Sequence, residues 1–97
     1  MNAVPKPADD RKSLIQIAAR LKDLRRAFGI TRQGEFALKA GIARNTYNQW
    51  EQGLRRPDIE NAIKLVEAYG VTLDWIFLGS PRGMDPGLVG RMIRPKT

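Results

Sequence analysis

The sequence contains no cysteine and no histidine among its 97 residues. The first absence excludes disulfides and thiolate chemistry, and the second removes the commonest metal ligand and the usual general base near neutral pH. No metal centre and no cofactor are therefore expected. Long apolar runs are also missing. No stretch approaches the roughly 20 residues of a membrane span, and MNAVPKPADD lacks the apolar segment of a secretory signal, so a cytoplasmic chain with no membrane partner is expected. The ten acidic side chains are scattered among basic neighbours. No serine is placed beside a base, and the glycines from Gly70 onward form no phosphate-cradling loop, so catalysis is not expected.

What is abundant is positive charge. Lysine and arginine number 17 against 10 acidic residues, a formal charge of +7, which favours an anionic partner such as nucleic acid or a membrane surface. The surplus is uneven, with +5 in residues 11–30 and +3 in residues 81–97. Arg20, Lys22, Arg25 and Arg26 suit either a phosphate backbone or a solvated helix face. The same two readings hold for Arg82, Arg91, Arg94 and Lys96.

Apolar spacing divides the chain. Residues 1–10 include Pro5 and Pro7 and show no apolar period over the first eight, which reads as a flexible arm. Leu14, Ile17, Ala18, Leu21, Leu24 and Phe28 recur at three- and four-residue intervals, predicting a helix from about Asp10 or Ser13 to Phe28. Ser13 and Gln16 have the spacing of a capping box, and Gly29 is a natural stop. Gln33–Ala40 reads as a second helix, with Phe36 and Ala37 inward and Thr31 suited to capping. A third covers about Arg44–Gln52, ended by Gly53. Asp58 can cap a fourth helix carrying Ile59, Ala62, Ile63, Val66 and Tyr69, and Thr72 can cap a fifth, Leu73–Leu78. Residues 80–97 hold three prolines, three glycines and four basic side chains, the composition of a mostly disordered basic tail. The expected fold is all-α, a compact five-helix orthogonal bundle over residues 11–79.

Gln33–Gln52 carries the strongest functional signal. Two helices crossing steeply over a short turn need a small residue at the crossing, which Ala37 supplies. The turn needs a residue tolerant of positive φ, which Gly41 supplies, and Tyr47 with Trp50 can anchor the second helix. Arg44, Asn45, Asn48 and Gln49 are left facing outward. Arginine pairs bidentately with guanine, and asparagine and glutamine with adenine, although the same side chains also suit an ordinary solvated helix. Trp50 and Trp75 could stack on a ligand, but their helical spacing favours core or subunit packing.

The segments RLKDLRRAFGI, QGEFALKAGI, NTYNQWEQGLRRPD and AIKLVEAYGVTLDWIFLG, in that order and spacing, resemble the helix-turn-helix domains of phage repressors, Cro and xenobiotic-response-element regulators. The resemblance spans about Leu21–Gly79 and implies the lambda-repressor-like fold. It further implies a sequence-specific DNA-binding transcription regulator, expected to be a repressor, binding double-stranded DNA as a homodimer on a palindromic operator, in a bacterial cytoplasm or nucleoid. Carried over by position, Arg44, Asn45, Asn48 and Gln49 would read bases. Gln33 would sit against a phosphate or a base edge, Thr46, Gln52, Arg55 and Arg56 would contact phosphates, and Arg25 with Glu51 would form a structural ion pair. The chain departs from the pattern in three places. The link Gly29–Gln33 is about one residue longer, leaving Thr31 or Arg32 as the cap. Ala43 stands where Ser or Thr often caps the recognition helix, and Tyr47 replaces a frequent β-branched residue. Two other functions remain compatible with the sequence: a DNA-binding antitoxin with a toxin as its protein partner, and a protein-interaction domain of the same fold, contacting for example the transcription machinery, that does not read DNA.

Overall fold

The computed structural model describes the backbone of residues 7–93 and the side chains of residues 11–93. Among these residues six helices follow one another: α1 (Pro7–Ala27), α2 (Gln33–Ala40), α3 (Arg44–Glu51), α4 (Ile59–Tyr69), α5 (Leu73–Leu78) and α6 (Pro86–Met92). Among the described residues there is no strand. Helix α1 packs against α3, α5 and α6, while α4 packs against α2 and α5. The long first helix is thus the support on which the shorter ones are arranged.

The core follows from the apolar stripes. Ile17, Leu21 and Leu24 of α1 are buried against Phe36 and Ala37 of α2, Tyr47 and Trp50 of α3, Ala62, Leu65 and Tyr69 of α4, and Trp75 and Ile76 of α5. Its centre is aromatic. The Phe36 and Tyr69 rings stack with centroids 4.1 Å apart and planes 5° from parallel, and Phe28 meets Tyr69 edge-on at 4.9 Å. The Tyr69 hydroxyl donates to the Phe36 carbonyl at 2.7 Å, so its one polar group is satisfied inside the core. Both tryptophans are buried.

The helix ends are set locally. Asp58 accepts from the Asn61 amide and Thr72 from the Trp75 amide, each satisfying a donor the first turn leaves over. The bonds from Asn61 hold the Asp58 carboxyl below its ordinary value. Gly41 takes φ +79° at the end of α2, the left-handed conformation that lets the chain turn sharply into α3.

Several expectations need correction. Among the described residues the bundle has six helices and not five, because the segment expected to be a mostly disordered tail, residues 80–97, contains α6 within its described part. Asp85 caps α6 by accepting from the Leu88 amide, Pro86 occupies its first turn, and Met84, Leu88 and Met92 are buried. Those three residues recur at four-residue intervals, a stripe that the prolines and glycines around it concealed. Arg91 of α6 donates from Nε to the Ala27 carbonyl at 3.2 Å and lies 5.6 Å from the centre of the Phe28 ring. A cation thereby closes the carbonyl end of α1. Helix α1 is already formed at Pro7, the first described residue, ahead of both Asp10 and Ser13, so Ser13 lies within the helix and not at its start. Arg32, not Thr31, is the N-cap of α2, and it makes no side-chain capping bond. In α4, Leu65 is buried while Ile59 and Ile63 are exposed, because the face that meets α2 and α5 is centred on Ala62, Leu65 and Tyr69. The remainder of the N-terminal arm, and Arg94 and Lys96, lie outside the described residues.

Leu88 is 4% exposed. Leu88→Ala is expected to lower unfolding stability by about 2–4 kcal/mol, read by denaturant or thermal melts as one shifted transition. An unshifted melt would mean that α6 lies outside the cooperative unit.

Candidate nucleic-acid interface

Helices α2 and α3 cross at the Gly41 turn. The buried methyl of Ala37 stands at the end of that turn, where the Ile42 amide bonds the Ala37 carbonyl at 2.9 Å. Helix α3 has two unlike faces. Tyr47, Trp50 and Glu51 are buried, whereas Arg44 and Asn45 are exposed and Asn48 and Gln49 are half-exposed. At 100° per residue the four polar residues share one side of the helix. This is the arrangement a helix needs to rest on a core while offering donors and acceptors outward.

The inner face is held by an ionic network. The Arg25 guanidinium donates to both oxygens of Glu51, Nε to Oε2 at 2.8 Å and Nη2 to Oε1 at 2.9 Å. Its Nη1 donates to the Thr31 carbonyl at 2.7 Å and the Ile30 carbonyl at 3.3 Å. One side chain of α1 therefore fixes both the α1–α2 link and α3. Gln33 Nε2 donates to Glu51 Oε1 at 2.9 Å, and the Tyr47 hydroxyl donates to Glu51 Oε2. The Glu51 side chain is fully shielded from solvent, and its four donors come from α1, α2 and α3.

The electrostatics follow from this geometry. Burial by itself would raise the Glu51 carboxyl, but the bonds from Arg25 and Tyr47, the Arg25 charge and the Gln33 amide bring it below the ordinary value, so it stays ionised. Its hydrogen bond to Arg25 holds the guanidinium protonated more firmly than usual. Burial, with the Glu51 charge beside it, pushes the Tyr47 phenol up, so the hydroxyl keeps the proton it donates.

The other expected site residues fall in three places. Arg44 lies along the first turn of α2, with its stem over Gly34. Arg55 and Gln52 are exposed at the loop after α3, and Thr46 is half-buried. Arg56 turns toward α1, where its Nη1 donates to Ser13 Oγ at 3.0 Å, and the Gln33 amide is directed at Glu51. Gln33, expected at a phosphate or a base edge, and Arg56, expected at a phosphate, thus each already make a hydrogen bond within the chain, that of Arg56 at the surface. The contribution of Tyr47 to the network was legible as a four-residue spacing from Glu51 within one helix. That of Gln33, 18 positions away, was not. The α2 N-terminus, without a side-chain cap, leaves its first amides to be satisfied from outside.

Comparison with known proteins places these elements in a group. The family described as Helix-turn-helix, of the Cro/C1 type, matches residues 21–76. Over 67 residues, 69% of this chain, the sequence is 34% identical to an uncharacterized HTH-type transcriptional regulator, YobD, of Bacillus subtilis. Over 45 residues, 46% of this chain, it is 36% identical to an uncharacterized HTH-type transcriptional regulator of Haemophilus influenzae. The matched stretches span only 58% and 19% of those two proteins. No solved structure matches.

Removing one partner of the buried pair leaves the other uncompensated, so Arg25→Ala is expected to cost on the order of 3–5 kcal/mol in unfolding stability. Arg25→Ala and Glu51→Ala together should cost clearly less than the sum of the two. The Glu51 carboxyl titrates below its unfolded value of 4.5. Its stabilisation is therefore complete above that pH and lost as pH falls through the folded value. Melts across this range should show Glu51→Gln approaching the parent chain as pH drops, and a gap that is constant with pH would contradict the account.

Proposed function

The chain belongs to the Cro/C1-type helix-turn-helix family, and we propose that it is a DNA-binding transcription regulator, acting as a repressor, that reads operator sequence with α3 in the major groove. The observation that carries this reading is the outer face of α3, where Arg44 and Asn45 are exposed and Asn48 and Gln49 half-exposed while Tyr47, Trp50 and Glu51 are buried. A major groove admits one helix, and these side chain types match the donor and acceptor patterns of guanine and adenine. The names of the two relatives, both HTH-type transcriptional regulators, support the same class.

In this arrangement the α2 N-terminus faces the sugar–phosphate backbone, because its uncapped amides and partial positive charge suit an anion. Arg55, Gln52 and Thr46 supply contacts that set register and salt-dependent affinity without choosing sequence. Gln33 and Arg56 serve the same backbone from positions where their primary bonds are to Glu51 and Ser13. Two copies place two α3 helices on half-sites about one helical turn, roughly 34 Å, apart, so the operator is an imperfect palindrome. Leu78 ends α5 with 77% of its surface exposed, and it is the apolar anchor for that pairing.

Selection from a random DNA pool should enrich one roughly palindromic motif. On that motif Arg44→Ala or Gln49→Ala is expected to cost about 1–3 kcal/mol at particular base pairs, whereas Arg55→Ala should weaken all sequences alike and reduce the salt slope by about one. Equal losses on motif and random DNA for all three variants would remove the assignment, and no enriched motif would favour an interaction domain. Leu78→Asp should weaken binding to the paired site while leaving a single half-site unaffected, measured by gel shift on both probes. Equal affinity on the two probes for the parent chain would remove the dimer.

A further inference from the structure

Gly34 is the second residue of α2, and its backbone is helical, so no left-handed conformation calls for glycine there. Glycine is also the poorest ordinary helix former, because it gives up the most backbone freedom. The reason for it lies across the turn. A Cβ at position 34 would stand 3.1 Å from Arg44 Cδ, 3.4 Å from Nε and 3.6 Å from Cγ. The aliphatic stem of Arg44, the first residue of α3, therefore lies directly on the bare backbone of the first turn of α2.

We infer that Gly34 is a specificity-determining positioning residue: its missing side chain is a seat that fixes the Arg44 stem and so decides where the guanidinium meets a base. This rests on the reading of α3 as the helix that enters the groove. An exposed arginine samples many rotamers, and its planar head makes two parallel bonds to guanine only when placed correctly. Among the described residues no hydrogen bond or ion pair holds the Arg44 head. The stem's contact with Gly34 is what orders the side chain before DNA arrives, and ordering in advance lowers the entropy lost on binding. The seat is open to solvent and bordered by Arg25, Thr31, Arg32, Glu35 and Lys39, with the Glu35 carboxylate 3.9 Å from the Lys39 ammonium.

A methyl group at position 34 displaces the stem by a few tenths of an ångström. Arg44 is exposed, so the stem is pushed outward off its seat without straining the fold. The effect of the substitution thus falls on reading and not on folding.

The test uses the whole chain with Gly34→Ala, Arg44→Ala and the double variant. Each is measured on the selected motif, on the motif changed one base pair at a time, and on random DNA, with thermal melts in parallel. Gly34→Ala should melt at the parent temperature or above and, as a ratio of motif to single-base-changed motif, lose about threefold to tenfold in preference at the same base pair that Arg44→Ala affects. In the Arg44→Ala background it should do nothing further. Gly34→Ser, whose small side chain is tolerated in a first helical turn, provides a second variant and should reproduce the loss. An equal loss on all DNA, or the same loss with Arg44 absent, overturns the inference. If Arg44→Ala is selective and neither position-34 variant is, the inference alone falls. If Arg44→Ala changes no base preference, the assignment of Arg44 as a reader falls and takes the inference with it.

Discussion

A carboxylate removed from water must have its oxygens bonded and its charge balanced, or it destabilises whatever encloses it. Glu51 meets both conditions with donors drawn from three helices: the Arg25 guanidinium from α1, the Gln33 amide from α2 and the Tyr47 hydroxyl from its own α3. Each helix must hold its place for the set to be complete. The relative positions of α1, α2 and α3 are therefore fixed by directional bonds in addition to apolar packing, which tolerates sliding more readily. The same guanidinium bonds the carbonyls of Ile30 and Thr31, which ties down the lengthened link between α1 and α2.

The consequence for α3 is that one half of its circumference is committed and the other half is not. Tyr47, Trp50 and Glu51 join it to the body, and Arg44, Asn45, Asn48 and Gln49 are left outward. A rigid inner face is what allows an outer face to present side chains at reproducible positions, the requirement for any reading of base edges. The stacked rings of Phe36 and Tyr69 do a related service for α2 by joining it to α4. Helix α6 completes the enclosure from the far side, where Arg91 closes the end of α1. The folded unit thus runs beyond residue 76, where the family match ends, through Met92.

Much of this was legible in the chain itself. Helices α2 to α5 fall close to where apolar period, capping residues and glycine stops put them, because those signals act within a turn or two of the backbone. The errors came where local signals conflicted. Proline and glycine around it hide the Met84, Leu88 and Met92 stripe and the Asp85–Pro86 start, so α6 is not legible from composition. In α4 the apolar period is compatible with more than one inward face, since Ile63 and Leu65 are equally apolar and only the placement of α2 and α5 distinguishes them.

By itself the sequence determined helices α2 to α5, the Gly41 turn and the split of α3 into an aromatic side and a polar side, all of them consequences of side chains within a few positions of one another. Only the tertiary structure decided which outward groups were already engaged. It brought Gln33 to Glu51 and Arg56 to Ser13, and it laid the Arg44 stem over Gly34. Those partners are 10, 18 and 43 positions apart, so no periodicity within one helix relates them. They meet because the helices carrying them are set by a shared core.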